Sequence, residues 1–144
     1  MQSIRICKIP DCRMVSSIEG MFGDPDFDAF MNWMDQQPRG IYPKDYLTWD
    51  QVGFRWLYLY EEGMEVPEPL SVIDFKGGLY AVATDIDQQT DQKNMDAEVE
   101  AFLEKNGLSR DPDRLELGNI ITPPEAQEIL GYEQMDYYYP VKRK

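Results

Sequence analysis

The chain has 144 residues, 42% of them hydrophobic and 28% charged, the balance of one globular domain able to bury a core without disulfides or metal. Against 27 Asp and Glu stand only 14 Lys and Arg, a formal net charge of -13; nucleic-acid affinity rests on cations neutralising phosphates, so this field argues against direct DNA or RNA binding. There is no histidine and the only cysteines are Cys7 and Cys12, which excludes Ser-His-Asp and Cys-His catalysis and leaves zinc and haem poorly provided for, so no metal and no cofactor is expected.

The start MQSIRICKIPDC lacks an apolar signal core, and no stretch approaches the roughly 20 apolar residues of a membrane span. The expected setting is the cytoplasm, with reduced thiols and no membrane partner. From Ile4 to Ile18 the pattern is β-like and broken at Pro10-Asp11, which fits two strands or one bulged strand. Gly23-Asp24-Pro25 signals a helix start, with Asp24 as N-cap and Pro25 at the first helical position. Phe27, Phe30, Met31 and Met34 then share one stripe, expected to face the core, until Pro38 and Gly40 end the helix.

Between Gln51 and Tyr60 the run QVGFRWLYLY is rich in strand-forming aromatics. Alternation puts Phe54, Trp56, Tyr58 and Tyr60 on one face and Arg55, Leu57 and Leu59 on the other. The aliphatic face suits packing on helices, and the aromatic face suits a ligand wall or a structural layer of rings. The segment from Glu61 to Pro69, with Glu61, Glu62, Glu65, Glu68 and two prolines, reads as a solvated turn with a short strand end.

Lys76-Gly77-Gly78 reads as a turn before a strand from Leu79 to about Ile86. Polar residues from Asp87 to Asn94 lead into a second helix with Met95, Val99, Phe102 and Leu103 on one face and Gly107 as its left-handed cap. Each half thus has a β segment, an amphipathic helix and further β, the outline of a duplicated unit. A strand over Leu115–Ile121, a short helix opened by a capping box at Thr122-Pro123-Pro124-Glu125 and closed by Gly131, and a last strand QMDYYYPVK complete the chain. In that last strand Gln134, Asp136 and Tyr138 fall on one face and Met135, Tyr137 and Tyr139 on the other. A carboxylate within an aromatic strand is either solvent-exposed or, if buried, kept for pairing or function.

Three segments in this order, FKGGLYAVAT, FLEKNGL and MDYYYPV, resemble the GyrI-like domain, the effector-binding domain found at the C-terminal end of AraC-type and multidrug-binding regulators. The resemblance implies an α+β fold of duplicated βαββ units, a curved antiparallel sheet with two main helices on one face and a ligand cleft on the other, formed by residues 1–144 as one domain. Family members include sensors of lipophilic cations, in which an acidic residue on the closing strand balances the ligand's charge; that position corresponds to Asp136, and Tyr138 corresponds to the tyrosine on the same face. The expectation is a noncatalytic small-molecule sensor for an amphipathic cation, with Asp136 as counter-charge and Trp56, Tyr58, Tyr80 and Tyr138 as ligand walls, each ring able to contribute about 0.5–2 kcal/mol of cation-π attraction. A regulator of this type needs a DNA-binding domain elsewhere, in a longer chain or another protein; otherwise the domain stands alone. Two rival expectations are a hydrolase of cyclopropanoid electrophiles using Asp136 and Tyr138, and an acidic interaction protein of the gyrase-inhibitor kind.

Overall fold

The computed structural model describes residues 4–38, 40 and 42–144. Among them the chain forms nine strands and three helices: β1 (Arg5–Ile9), β2 (Cys12–Ser16), α1 (Pro25–Asp35), β3 (Asp45–Trp49), β4 (Phe54–Leu59), β5 (Ser71–Phe75), β6 (Gly78–Ile86), α2 (Gln92–Lys105), β7 (Leu108–Arg110), β8 (Leu117–Ile120), α3 (Pro124–Leu130) and β9 (Gln134–Arg143). They divide into two compact units. The first holds the residues up to Pro10 together with Gly77–Lys144, and the second holds Asp11–Lys76.

In the first unit the strands lie in the order β1-β6-β9-β8, with β7 also on β9, and in the second the order is β5-β2-β4-β3. All these pairings are antiparallel. The two orders describe one repeated pattern: β6, α2, β8 and β9 correspond to β2, α1, β3 and β4, and β7 and α3 are additions. The chain is α+β with duplicated βαββ units, as the sequence implies. The fourth strand of each unit comes from the other half of the sequence, because β1 pairs with β6 and β5 pairs with β2.

Each unit covers one face of its sheet with its long helix. In the first unit Met95, Val99 and Leu103 of α2 pack with Ala81, Ala83, Leu108, Tyr139 and Val141, with Tyr137 at the margin. The helix is held at its start by Asp91, whose carboxylate accepts from the Asn94 amide at 3.1 Å, an N-cap bond. Tyr139 ties strand to helix: its hydroxyl accepts from Gln92 Nε2 at 2.9 Å and donates to Asp96 Oδ1 at 3.1 Å. Burial, and then the neighbouring Asp96 charge, push this phenol well above its ordinary pKa, so it stays a neutral donor.

In the second unit the helix stripe is rotated from the expected one. Phe27, Phe30 and Trp33 are the buried positions of α1, whereas Met31 is 39% exposed. The indole of Trp33 explains the shift, since it turns inward and donates to the Glu65 carbonyl at 2.9 Å, which a methionine cannot do. Two expected caps also change: Asp24 precedes α1 but accepts from the Met21 amide, and Thr122, expected to open α3, accepts from the Gln134 amide at 2.6 Å while Pro123 takes the cap position. The sequence pattern gives no sign of β3, β5 or β7. The helix that ends at Asp35, the cap at Gly107 (φ +66°) and the faces of the last strand agree with the sequence reading.

Trp33→Ala is expected to destabilise the protein by about 3 kcal/mol or more, the cost of deleting a buried aromatic, while Met31→Ala changes stability by less than about 0.5 kcal/mol, as surface positions do. Urea denaturation of the two variants measures the difference, and equal losses would refute the rotated stripe.

Candidate functional site

The alternation of β6 and β9 sends Ala81, Ala83, Tyr137, Tyr139 and Val141 to α2, so the intervening residues form the opposite face. Register makes that face a lattice of rows: Arg5, Val82, Tyr138 and Leu117 stand side by side, and Thr84, Asp136 and Asn119 form the next row. Tyr80 and Pro140 form a third. Asp136 is therefore central in its sheet, with a neighbouring strand on each side.

Its carboxylate is buried, the residue being 3% exposed. Both oxygens are engaged: Arg5 Nη2 donates to Oδ2 at 2.5 Å, and the Thr84 hydroxyl donates to Oδ1 at 2.5 Å. Arg5 Nη1 also donates to Thr84 Oγ1 at 3.2 Å. The pair is lopsided, because the Arg5 side chain is 48% exposed and that of Asp136 only 4%. One member can be solvated where it stands and the other cannot.

Tyr138, half-buried, lies one row away, and its ring meets that of Tyr80 edge-on at 6.0 Å and 76°. Tyr80 is fully buried and is also packed against Arg114, whose guanidinium carbon sits over the ring 4.8 Å from its centroid. Arg114 is itself 96% enclosed (4% exposed) and donates to Asp111 Oδ2 at 2.9 Å and to the carbonyls of Leu79 and Val141, both at 2.7 Å. Those carbonyls belong to residues paired across β6 and β9, so a single cation bridges the two strands that carry the site. Gly78 makes room for it: at φ +148° a Cβ there would lie 2.5 Å from Arg114 Nη1. Gly77, where a Cβ would lie 2.0 Å from the Ile9 carbonyl oxygen, is a point of close backbone approach. The glycine pair read as a turn thus serves two close contacts.

The structure corrects the face assigned to Trp56 and Tyr58. Both point toward α1, Trp56 lying 5.4 Å from the Phe27 ring and 6.2 Å from Phe30, and Tyr58 meeting Trp33 edge-on at 5.5 Å. Leu57, on the opposite face of the strand, is fully buried as well. Large rings bridge the gap between a helix and a sheet that aliphatic side chains leave unfilled, so the aromatic layer goes to the core. The indole of Trp56 faces Asp45 Oδ2 at 3.4 Å, and burial raises the Asp45 pKa above its usual value.

Of the five residues singled out in the sequence, Asp136, Tyr138 and Tyr80 share one face of one sheet, and Trp56 and Tyr58 do not belong with them. Arg5, Thr84 and Arg114 were missed. Only Thr84 carried a usable signal, since alternation from Tyr80 puts it on the same face. An open hollow of about 560 Å³ in the second unit is lined by Asp11, Cys12, Arg13, Asp74, Phe75 and Lys76 and contains none of the five. Burial and Asp11 raise the Cys12 thiol pKa, which makes it a poor nucleophile.

No protein-family profile and no curated protein sequence matches the chain. Solved structures match it in fold. The crystal structure of the EcmrR C-terminal domain aligns with a TM-score of 0.65 at 11% identity, over 98% of both chains. Of the longer EcmrR chain in the cryo-EM structure of its DNA complex, the present chain spans 57%. A hydrolase from Listeria innocua aligns with a TM-score of 0.69 at 11% identity, covering 97% of this chain and 92% of the other. SAV2435 bound to tetraphenylphosphonium aligns at 0.57 and 9% identity, covering 98% and 94%. Identities this low carry architecture alone, and the architecture is consistent with a GyrI-like domain.

Gly78→Ala is expected to cost about 1–3 kcal/mol, because it forces Arg114 off the Tyr80 ring in a backbone region that side chains rarely adopt; a near-UV circular dichroism change in the tyrosine band, with the far-UV spectrum retained, is the signature. Removing the partners of the ion pair separately gives unequal losses. Arg5→Ala leaves a buried carboxylate with the Thr84 donor but without its cation and costs about 1–3 kcal/mol, more than Asp136→Asn, which leaves a cation already half in water. Urea melts that rank the two in the reverse order contradict this description of the pair.

Proposed function

We propose that the chain is a small-molecule-binding domain that takes an amphipathic cation, with Asp136 as the counter-charge and Tyr138, met edge-on by Tyr80, as the ring against which the ligand lies. The observation that carries this reading is the buried carboxylate at the centre of a sheet face, one row from a half-buried tyrosine. A carboxylate in such a place has a large desolvation cost and is kept where it has a charged group to meet. Tyr138 adds a flat, polarisable surface that attracts cations and tolerates varied shapes. The tetraphenylphosphonium complex of SAV2435 and the C-terminal placement of the EcmrR domain support the class of ligand and a sensing role in a regulator. The net charge of -13 favours the approach of cations over anions at a distance.

Two ions of one shape and opposite charge test the reading. In calorimetric titrations, tetraphenylphosphonium is expected to bind and tetraphenylborate to bind at least about tenfold more weakly. Asp136→Asn is expected to weaken the phosphonium alone by about 10- to 100-fold, the range of a charge-assisted contact. Equal affinity for the two ions, or a phosphonium affinity indifferent to Asp136→Asn in a variant that keeps its fold, overturns the assignment.

A further inference from the structure

The carboxylate that would neutralise a ligand already holds a cation of the chain's own. Arg5 reaches diagonally across β6 from its position opposite Val82, and its guanidinium contacts both Asp136 and the Thr84 hydroxyl that donates to the same carboxylate. We infer that Arg5 is the specificity-determining residue of the site: it occupies the cation position when no ligand is bound, and a cationic ligand binds by exchange with it. The inference rests on the reading of Asp136 given above.

Three features suit Arg5 to this role and not to permanent bracing. It stands on β1, an edge of the sheet of the first unit, so no strand of that unit hems it on the outer side. Its side chain is 48% exposed, so a change of rotamer returns the guanidinium to water with little loss of hydration. It makes its hydrogen bonds here with the side chains of Asp136 and Thr84, in contrast to Arg114, which is fully enclosed and grips two main-chain carbonyls. Thr84 remains on Oδ1 when Arg5 leaves, so the carboxylate keeps one donor during the exchange. The exchange filters ligands. A neutral molecule leaves the Arg5–Asp136 pair intact and gains nothing from Asp136, and a weak cation fails to displace a guanidinium that binds a carboxylate through directed hydrogen bonds. Only a ligand that combines positive charge with enough apolar surface to lie on Tyr138 outcompetes it.

The test uses the whole chain and tetraphenylphosphonium as the probe. Arg5→Gln is expected to tighten phosphonium binding about tenfold or more, by removing the competing state, and adding Asp136→Asn to Arg5→Gln is expected to abolish that gain. Unchanged or weaker phosphonium binding in Arg5→Gln, with Asp136→Asn still weakening binding in the otherwise native chain, overturns the exchange and leaves the counter-charge reading standing. Indifference to Asp136→Asn in both backgrounds overturns both. A second measurement needs no variant: in arginine-labelled native protein, the Arg5 guanidinium resonances are expected to move to the positions of a free, rapidly rotating group at phosphonium saturation, and resonances that stay fixed while ligand binds overturn the exchange.

Discussion

Asp136 is almost wholly withdrawn from water, and the pairing of β1, β6 and β9 supplies the donors that this requires. A lone carboxylate at such a site is strongly disfavoured, and the disfavour is offset only by donors held at hydrogen-bond distance. The Thr84 hydroxyl comes from the central strand and the Arg5 guanidinium from the edge strand. Both must lie on the face opposite α2. A one-residue slip of β1 along β6 would send Arg5 to the helix side and Ile6 to the carboxylate, so the charge helps to set the register that the hydrophobic pattern also demands. The Arg114 bridge between Leu79 and Val141 then holds the two strands that carry Tyr80 and Tyr138 at a fixed spacing.

The internal repeat gives a second way to see why the site lies where it does. β4 corresponds to β9, and each presents two alternating aromatic residues to its helix: Trp56 and Tyr58 in one, Tyr137 and Tyr139 in the other. Both copies use rings to meet the long helix. The copies diverge on the other face, where the second unit has Leu57 and the first has Asp136 and Tyr138. The duplicated scaffold thus keeps its core chemistry in both halves and places the buried charge in one.

How much of this was legible follows from the range of each interaction. The presence of the three helices and of the last strand with its two faces rests on periodicity within a few neighbouring residues and is legible locally, whereas the caps of α1 and α3 depend on contacts beyond that range. The stripe of α1 was misjudged because the inward turn of Trp33 depends on the Glu65 carbonyl, far along the chain. Trp56 and Tyr58 were assigned to the wrong face for a related reason: alternation says which residues go together, and only the partner layer says which way they point. Asp136 was visible as a charge among aromatics. Arg5 was not, since nothing near it in sequence marks an arginine on a short strand as the partner of a residue in β9. Gly78 reads locally as a turn residue, and its clearance for Arg114 is a tertiary demand with no local trace.

The exchange of β1 and β5 between the two halves has a consequence for the order in which the molecule comes into being. Of these strands β1 is made before the others, yet the strand that accepts it, β6, follows only after all of β2–β5, and β9, inserted between β6 and β8, is the last of them to be made. Contacts this distant in sequence form late and slowly. Arg5 and Asp136 therefore meet only once β9 has been made, and a fragment that stops short of it has no assembled face with which to capture a small molecule.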